Sequence, residues 1–138
     1  MQRTLAIIKP DAVGDHSVGA IINRIEESGL LICALRMVKL TKQDAEGFYA
    51  VHKEKPFFEA LTAFMSSGPA VVLALEGENA IRRWRDLMGA TNPNDAEPGT
   101  LRKEFGASID RNATHGSDAE DTAAYELNYF FRGVEFGQ

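Results

Sequence analysis

The chain has 138 residues, 44% hydrophobic and 25% charged, enough apolar material for one globular core and too much for a disordered chain. Its 20 acidic and 15 basic side chains leave a formal charge of −5, which argues against general affinity for nucleic acid or an anionic membrane, because such partners need a basic surface. No run approaches the roughly 18 apolar residues of a membrane span or has the flanks of a signal peptide. The length fits a single domain over 1–138, and the one cysteine, Cys33, has no internal disulfide partner, so a reducing cytoplasm is expected.

Residues 4–8 form an apolar run stopped by Lys9-Pro10-Asp11, which predicts a short buried strand. Val18, Ile21, Ile22 and Ile25 recur at helical spacing and predict a helix over 18–28, ended by Gly29 in a left-handed cap. Residues 30–40 predict a second strand, with Cys33 buried inside it. Thr41 followed by Asp44 predicts a capped helix start and a helix over 43–52. Pro56 suits the first position of a helix over 57–66, which Ser67-Gly68-Pro69 ends. Residues 70–75 predict a third strand, and 79–88 a helix that stops at Gly89.

Over 90–115 the periodicity breaks down. Asn92-Pro93, Pro98-Gly99 and Gly106 punctuate a loop with one helical turn at 101–105, and loops of that length in a compact domain are often functional. Ser117-Asp118 opens a last helix over 119–129. Strands separated by helices, without a long parallel βαβ series, predict an α/β sandwich with one mostly antiparallel sheet covered by helices.

Of the three histidines, His16 and His52 lie beside polar helix ends, where solvated surface positions explain them. His115 lies in Asn112-Ala113-Thr114-His115-Gly116-Ser117-Asp118, where an irregular loop meets a helix N-terminus. Small neighbours leave its imidazole accessible, Gly116 allows close backbone approach to a ligand, and the helix start favours an anion. A catalytic histidine and a plain loop histidine both fit this setting. A neutral imidazole is a competent nucleophile toward phosphorus, and displacement there asks mainly for positioning and charge neutralisation. Lys9, Arg85, Arg102 and Arg111 are candidate neutralising groups, though for each taken singly a solvated surface cation is the better reading; Asn112 and Thr91 are candidate hydrogen-bond donors. The sequence has no G-x-x-x-x-G-K-[ST] loop, no protein-kinase motif set, no H-E-x-x-H and no G-x-S-x-G elbow, so phosphate chemistry here needs an unrelated design.

Asn112 to Asp118 resembles the active-site signature N-x-x-H-G-S-D of nucleoside diphosphate kinases. Further segments match that family in order: TLAIIKPDAV at 4–13, Pro56-Phe57-Phe58, Ser67-Gly68-Pro69, Gly89-Ala90-Thr91-Asn92-Pro93 and Pro98-Gly99-Thr100-Leu101-Arg102, so the resemblance runs from about Arg3 to Phe131. It implies a ferredoxin-like α/β (α+β) sandwich with a four-stranded antiparallel sheet, its fourth strand hidden in 105–110 or near Phe130. The implied activity is transfer of the γ-phosphate of a nucleoside triphosphate to a nucleoside diphosphate, in a ping-pong cycle through the δ nitrogen of His115.

The resemblance places Lys9 and Tyr49 near the sugar 3′-hydroxyl and the transferring phosphate, and Arg85, Thr91 and Arg102 on the phosphates. It places Asn112 on the ribose side, and Phe57 on the base with Leu61 and Ile109 lining the same slot. Ser117 and Glu126 would orient the histidine. Stacking on Phe57 would accept any base, because every base has a π-face; for Phe57 and Leu61 periodicity alone prefers core packing. Mg²⁺ would arrive with the nucleotide, without a dedicated metal cage. The partners implied are nucleoside tri- and diphosphates and further copies of the chain, in a homo-oligomer built from dimers, a tetramer ahead of a plain dimer, with the tail 132–138 bearing on the choice. A nucleotide-binding module without turnover would be favoured had His115, Lys9 or Asn112 been replaced, and a DNA-binding regulator is opposed by the acidic charge.

Overall fold

In the computed structural model, which describes residues 1–136, the chain opens with β1 (Gln2–Ile8), the short helix α1 (Pro10–Gly14) and α2 (Val18–Glu27). There follow β2 (Leu31–Val38), α3 (Lys42–Phe48), a 3₁₀ turn (Ala50–His52), α4 (Phe58–Met65), β3 (Ala70–Gly77) and α5 (Ala80–Met88). A second 3₁₀ turn (Pro93–Asp95), α6 (Leu101–Phe105), β4 (Thr114–Gly116), α7 (Glu120–Phe130) and a third 3₁₀ turn (Gly133–Glu135) follow. The four strands form one antiparallel sheet in the order β2-β3-β1-β4, with β1 and β3 at its centre. This is the ferredoxin-like α+β sandwich.

Strand alternation divides the core into two layers. Leu5 and Ile7 of β1, with Val72 and Ala74 of β3, pack against Phe48, Met65, Leu127 and Phe130 from α3, α4 and α7. Ala6 and Ile8, with Val71, Leu73 and Leu75, pack against Ile21, Ile25, Trp84 and Met88 from α2 and α5. Because both faces of the central strands are covered, they read as unbroken apolar runs. Gly29 (φ 87) ends α2 and Gly89 (φ 86) ends α5, both in the left-handed region that glycine tolerates. Thr41 and Asp44 form the expected reciprocal cap, Asp44 N donating to Thr41 Oγ1 and Thr41 N to Asp44 Oδ2, each at 3.0 Å.

Several expectations are corrected. The fourth strand lies neither in 105–110 nor near Phe130. It is Thr114–Gly116, so His115 sits in a strand, in register with Ile7 of β1. Three residues reading Thr-His-Gly carry no apolar alternation, so no periodicity marks them. α7 begins at Glu120, where Thr122 Oγ1 accepts from the Asp118 and Ala119 amides, and its first turn carries Glu120 and Asp121. Gly116 is required by packing: a Cβ there would stand 2.6 Å from Trp84 Cδ1 and Met88 Cε. Phe57 caps α4, leaving Pro56 in the preceding turn, and the segment 43–52 divides into α3 and a 3₁₀ turn. α1, with Pro10 at its first position, was not foreseen. The last two residues of the tail expected to bear on assembly lie outside the described residues.

Gly116→Ala should force β4 off Trp84 and lower stability by about 1–3 kcal/mol, the usual range for overpacking. Denaturant unfolding of the two proteins would measure the difference.

Candidate active site

The carboxyl end of β1, β4, the hairpin of α3 and α4, and the loop after α5 enclose a cleft of about 580 Å³. Lys9, Tyr49, Phe57, Leu61, Arg85, Thr91, Arg102, Ile109, Asn112 and His115 all line it, so the structure brings together residues spread over most of the chain. Ser117 and Glu126 stand behind His115.

Strand pairing of His115 with Ile7 turns its ring toward the α3 and α7 face, edge-on to Phe48 (centroids 5.5 Å apart) and Tyr49 (6.0 Å). Nε2 of the imidazole lies 3.0 Å from Glu126 Oε1, and the same oxygen accepts from Ser117 Oγ at 2.7 Å. Ser117 is fully buried and its hydroxyl accepts from the Leu5 amide at 3.3 Å, which ties the carboxylate to the middle of the sheet. On the opposite face, Trp84 Nε1 donates to the His115 carbonyl at 3.0 Å. Nδ1 has no hydrogen bond among the described residues and opens into the cleft.

Lys9 is the residue at which β1 passes into α1, and it is 7% exposed. Its ammonium donates to Asn112 Oδ1 at 2.9 Å, and Asn112 Nδ2 donates to the Thr91 carbonyl at 3.0 Å. Burial, followed by the nearby Arg102 guanidinium, lowers the Lys9 pKa to about 8, against the pull of Asp11 and Asp110. Arg102 is buried too; it donates to the Gly89 carbonyl at 3.1 Å and the Thr114 carbonyl at 2.9 Å, while its Nε has no partner among the described residues. Burial and the neighbouring Arg85 bring its pKa down to about 10. Arg85 is more open and pairs with Asp118 at 2.7 Å. The Tyr49 hydroxyl is buried without a partner among the described residues, and burial with the nearby Glu126 pushes its pKa up, so it stays protonated.

The far wall is apolar. Phe57 is 48% exposed and Ile109 56% exposed, with Leu61 half-buried between the cleft and the core, so Phe57 is not the core residue that helical periodicity prefers. His52, expected at the solvated surface, also lines the cleft: its ring centroid is 5.6 Å from that of Phe57, and its Nδ1 is buried without a partner among the described residues. Its position three residues after Tyr49, one turn of 3₁₀ helix, was the available signal. Asp110, Asp118 and Arg111, whose guanidinium lies 5.2 Å over the Phe64 ring, are further lining groups. Among the described residues no three His, Cys, Asp or Glu side chains gather as a metal cage, and no helix is long and apolar enough to cross a membrane.

A cleft charged at its floor and apolar along one wall suits a ligand that is a polyanion at one end and a flat ring at the other. Fold and site together define a nucleotide-binding phosphotransferase. The nucleoside diphosphate kinase family model matches residues 2–136. Nucleoside diphosphate kinases of Desulfosudis oleivorans (58% identical over 135 residues, 98% of this chain and 97% of that one) and Francisella tularensis subsp. mediasiatica (60% over 134 residues, 97% and 96%) are similar throughout. Among solved structures, the Aquifex aeolicus nucleoside diphosphate kinase superposes with a TM-score of 0.97 at 43% identity, covering 98% of both chains. The halophilic enzyme of Halobacterium salinarum, solved in complex with CDP, does so at 0.95 and 38% identity, covering 99% of this chain and 91% of its own. The chain belongs to the nucleoside diphosphate kinase family, and is thus a kinase acting on nucleotides.

Because the Tyr49 hydroxyl is buried without a partner among the described residues, Tyr49→Phe should leave stability unchanged or raise it by up to about 1 kcal/mol. Chemical denaturation without nucleotide would check this; a clear loss would reveal a partner for the hydroxyl.

Proposed function

We propose that this kinase works by a ping-pong cycle in which His115 Nδ1 takes the γ-phosphate of a nucleoside triphosphate and passes it to a nucleoside diphosphate. The observation that carries this is the division of the imidazole: Nε2 is engaged by Glu126 and Nδ1 faces the cationic cleft. With the ring proton on Nε2 and directed at the Glu126 carboxylate, the lone pair resides on Nδ1. That lone pair forms the N–P bond as the bond from phosphorus to the β-phosphate oxygen breaks, and the diphosphate leaves with the electron pair. Glu126, steadied by Ser117, balances the positive charge that grows on the ring. In the second half, a terminal oxygen of the acceptor diphosphate attacks the same phosphorus and the N–P bond breaks, which restores the imidazole.

Arg85, Arg102 and Thr91 hold the phosphates, Lys9 and Tyr49 stand by the transferring group and the sugar 3′-hydroxyl, and Asn112 takes the ribose side. Arg85 exchanges Asp118 for phosphate as the nucleotide enters. Phe57, with Leu61 and Ile109, receives the base by stacking, which supports tolerance of different bases and of ribose or deoxyribose. The CDP held by the Halobacterium salinarum relative supports a nucleotide in this cleft. Mg²⁺ enters as part of the nucleotide substrate and neutralises phosphate charge; the cleft, with exposed Asp110 and Asp118 as its carboxylates, fits an ion brought by the ligand better than a resident one. The chain acts as one domain, in a cytoplasmic setting that the lone buried thiol of Cys33 suits. Assembly through dimers, and onward to a tetramer, is supported by the open edge of β2, where Leu31, Leu35 and Met37 lie exposed beside unpaired strand backbone.

Intact mass after mixing with MgATP should show one added phosphate, lost again on addition of any nucleoside diphosphate. In His115→Ala the phosphate should not appear, while nucleotide binding persists through the unchanged clamps. A wild-type protein that binds nucleotide yet never gains phosphate would refute the cycle.

A second expectation concerns pH. The Lys9 ammonium is lost as pH rises through about 8, so kcat/KM should decline on that alkaline limb. Stability should move the other way. Between about 8 and the ordinary lysine value of 10.5 the unfolded chain binds more protons at this residue, so its contribution to folding rises with pH. Falling kcat/KM alongside an undiminished unfolding free energy near pH 8.5 separates loss of the ammonium from denaturation, and a rate independent of pH up to 10 would remove Lys9 from the reaction.

A further inference from the structure

The turn leading into β4 is strained, and what holds it comes from the other end of the chain. Thr114 N donates to the Asn112 carbonyl at 2.9 Å, so the backbone reverses over three residues with Ala113 at the centre, at φ 73. A γ-turn of this hand is rare, because Cβ crowds the backbone in the left-handed region. Ala113 is fully buried and packed in the core layer with Trp84 and Met88.

Both peptide groups of Ala113 are anchored at the end of β1. Lys9 N donates to the Ala113 carbonyl at 2.8 Å, an extension of the β1–β4 pairing. Ala113 N donates to Asp11 Oδ2 at 3.1 Å. Asp11 lies in the first turn of α1, where an acid ordinarily serves its own helix. Here its carboxylate instead reaches a residue 102 positions away. The other oxygen, Oδ1, is buried without a partner among the described residues, an expense that holding the turn accounts for.

The turn separates two working groups. On one side is Asn112, bonded to Lys9 and Thr91; two residues beyond Ala113 is His115. Relaxing Ala113 to negative φ would swing one relative to the other. We propose that Asp11 is a positioning residue for phosphate transfer: its carboxylate holds Ala113 in the left-handed turn and so sets the spacing between Asn112 and His115. This rests on His115 being the nucleophile.

The test compares the rate of phosphate incorporation into His115 from MgATP, with KM and unfolding midpoint, in Asp11→Ala, Asp11→Asn, Ala113→Gly and the Asp11→Ala/Ala113→Gly double variant. Asp11→Ala should slow incorporation about 10- to 100-fold, as misplacement of reacting groups by an ångström does, with KM changed far less. Glycine adopts positive φ without Cβ crowding, so Ala113→Gly alone should stay within about threefold of wild type, and the double variant should recover most of what Asp11→Ala lost. Asp11→Asn keeps an acceptor for the Ala113 amide and should be faster than Asp11→Ala. A double variant as slow as Asp11→Ala overturns the proposal, as does Asp11→Asn equal to Asp11→Ala, since charge and not the hydrogen bond would then matter. Should Asp11→Ala fail to fold, a folded and active double variant supports the proposal and an inactive one overturns it. An unlabelled wild type would refute the nucleophile reading and this one together; a labelled wild type with the wrong variant pattern refutes this one alone.

Discussion

Everything in this molecule is referred to one strand buried on both faces. β1 pairs with β3 along one edge and β4 along the other, and its alternate side chains enter two separate core layers. A slip of one residue would exchange those layers, so its register is held by the whole hydrophobic interior. The site inherits that rigidity, because Ile7 faces His115 across the sheet, Leu5 supplies the amide that steadies Ser117, and Lys9 is the first residue past the strand. Reacting groups borne on strands hold their spacing better than groups on loops, which matters wherever catalysis depends on a fixed distance between them.

The electrostatics of the cleft run against those of the whole chain. The protein carries a formal charge of −5, yet Lys9 and Arg102 are buried next to one another, each partly satisfied and each disfavoured in its charged form. Among the described residues, Arg102 Nε, the Tyr49 hydroxyl and His52 Nδ1 lack partners around the same space. Such concentration of unmet polar groups is opposed to stability and sits where a polyanion would relieve it. Local arrangement, and not net charge, governs what the cleft attracts.

The sequence was most legible where periodicity and punctuation coincide. Ile21 and Ile25 with Gly29 marked α2, the Thr41 and Asp44 cap marked α3, and the apolar run at 70–75 marked β3. β4 was illegible because a strand of three residues has no period, and its identity comes from pairing with Ile7 and Ile8 far away in sequence. The same distance hid the reason for Gly116, whose neighbours Trp84 and Met88 lie about thirty residues upstream, and the burial of Arg102, which depends on the carbonyls of Gly89 and Thr114. Residue chemistry made His115, Lys9, Arg85, Arg102, Arg111, Thr91 and Asn112 candidates, and motif resemblance added Tyr49, Phe57, Leu61 and Ile109. Periodicity would have put Phe57 in the core and left His52 in solvent, because neither side chain's surroundings are local.

Trp84 gives the molecule an observer of its own. It is the chain's one tryptophan, it is fully buried, and its indole both donates to the carbonyl of His115 and closes over Gly116. Indole emission responds to the polarity and hydrogen bonding of its surroundings, and here those surroundings are β4 itself. The indole is thereby a native probe of the backbone at His115, placed on the reverse side of the sheet and outside the cleft.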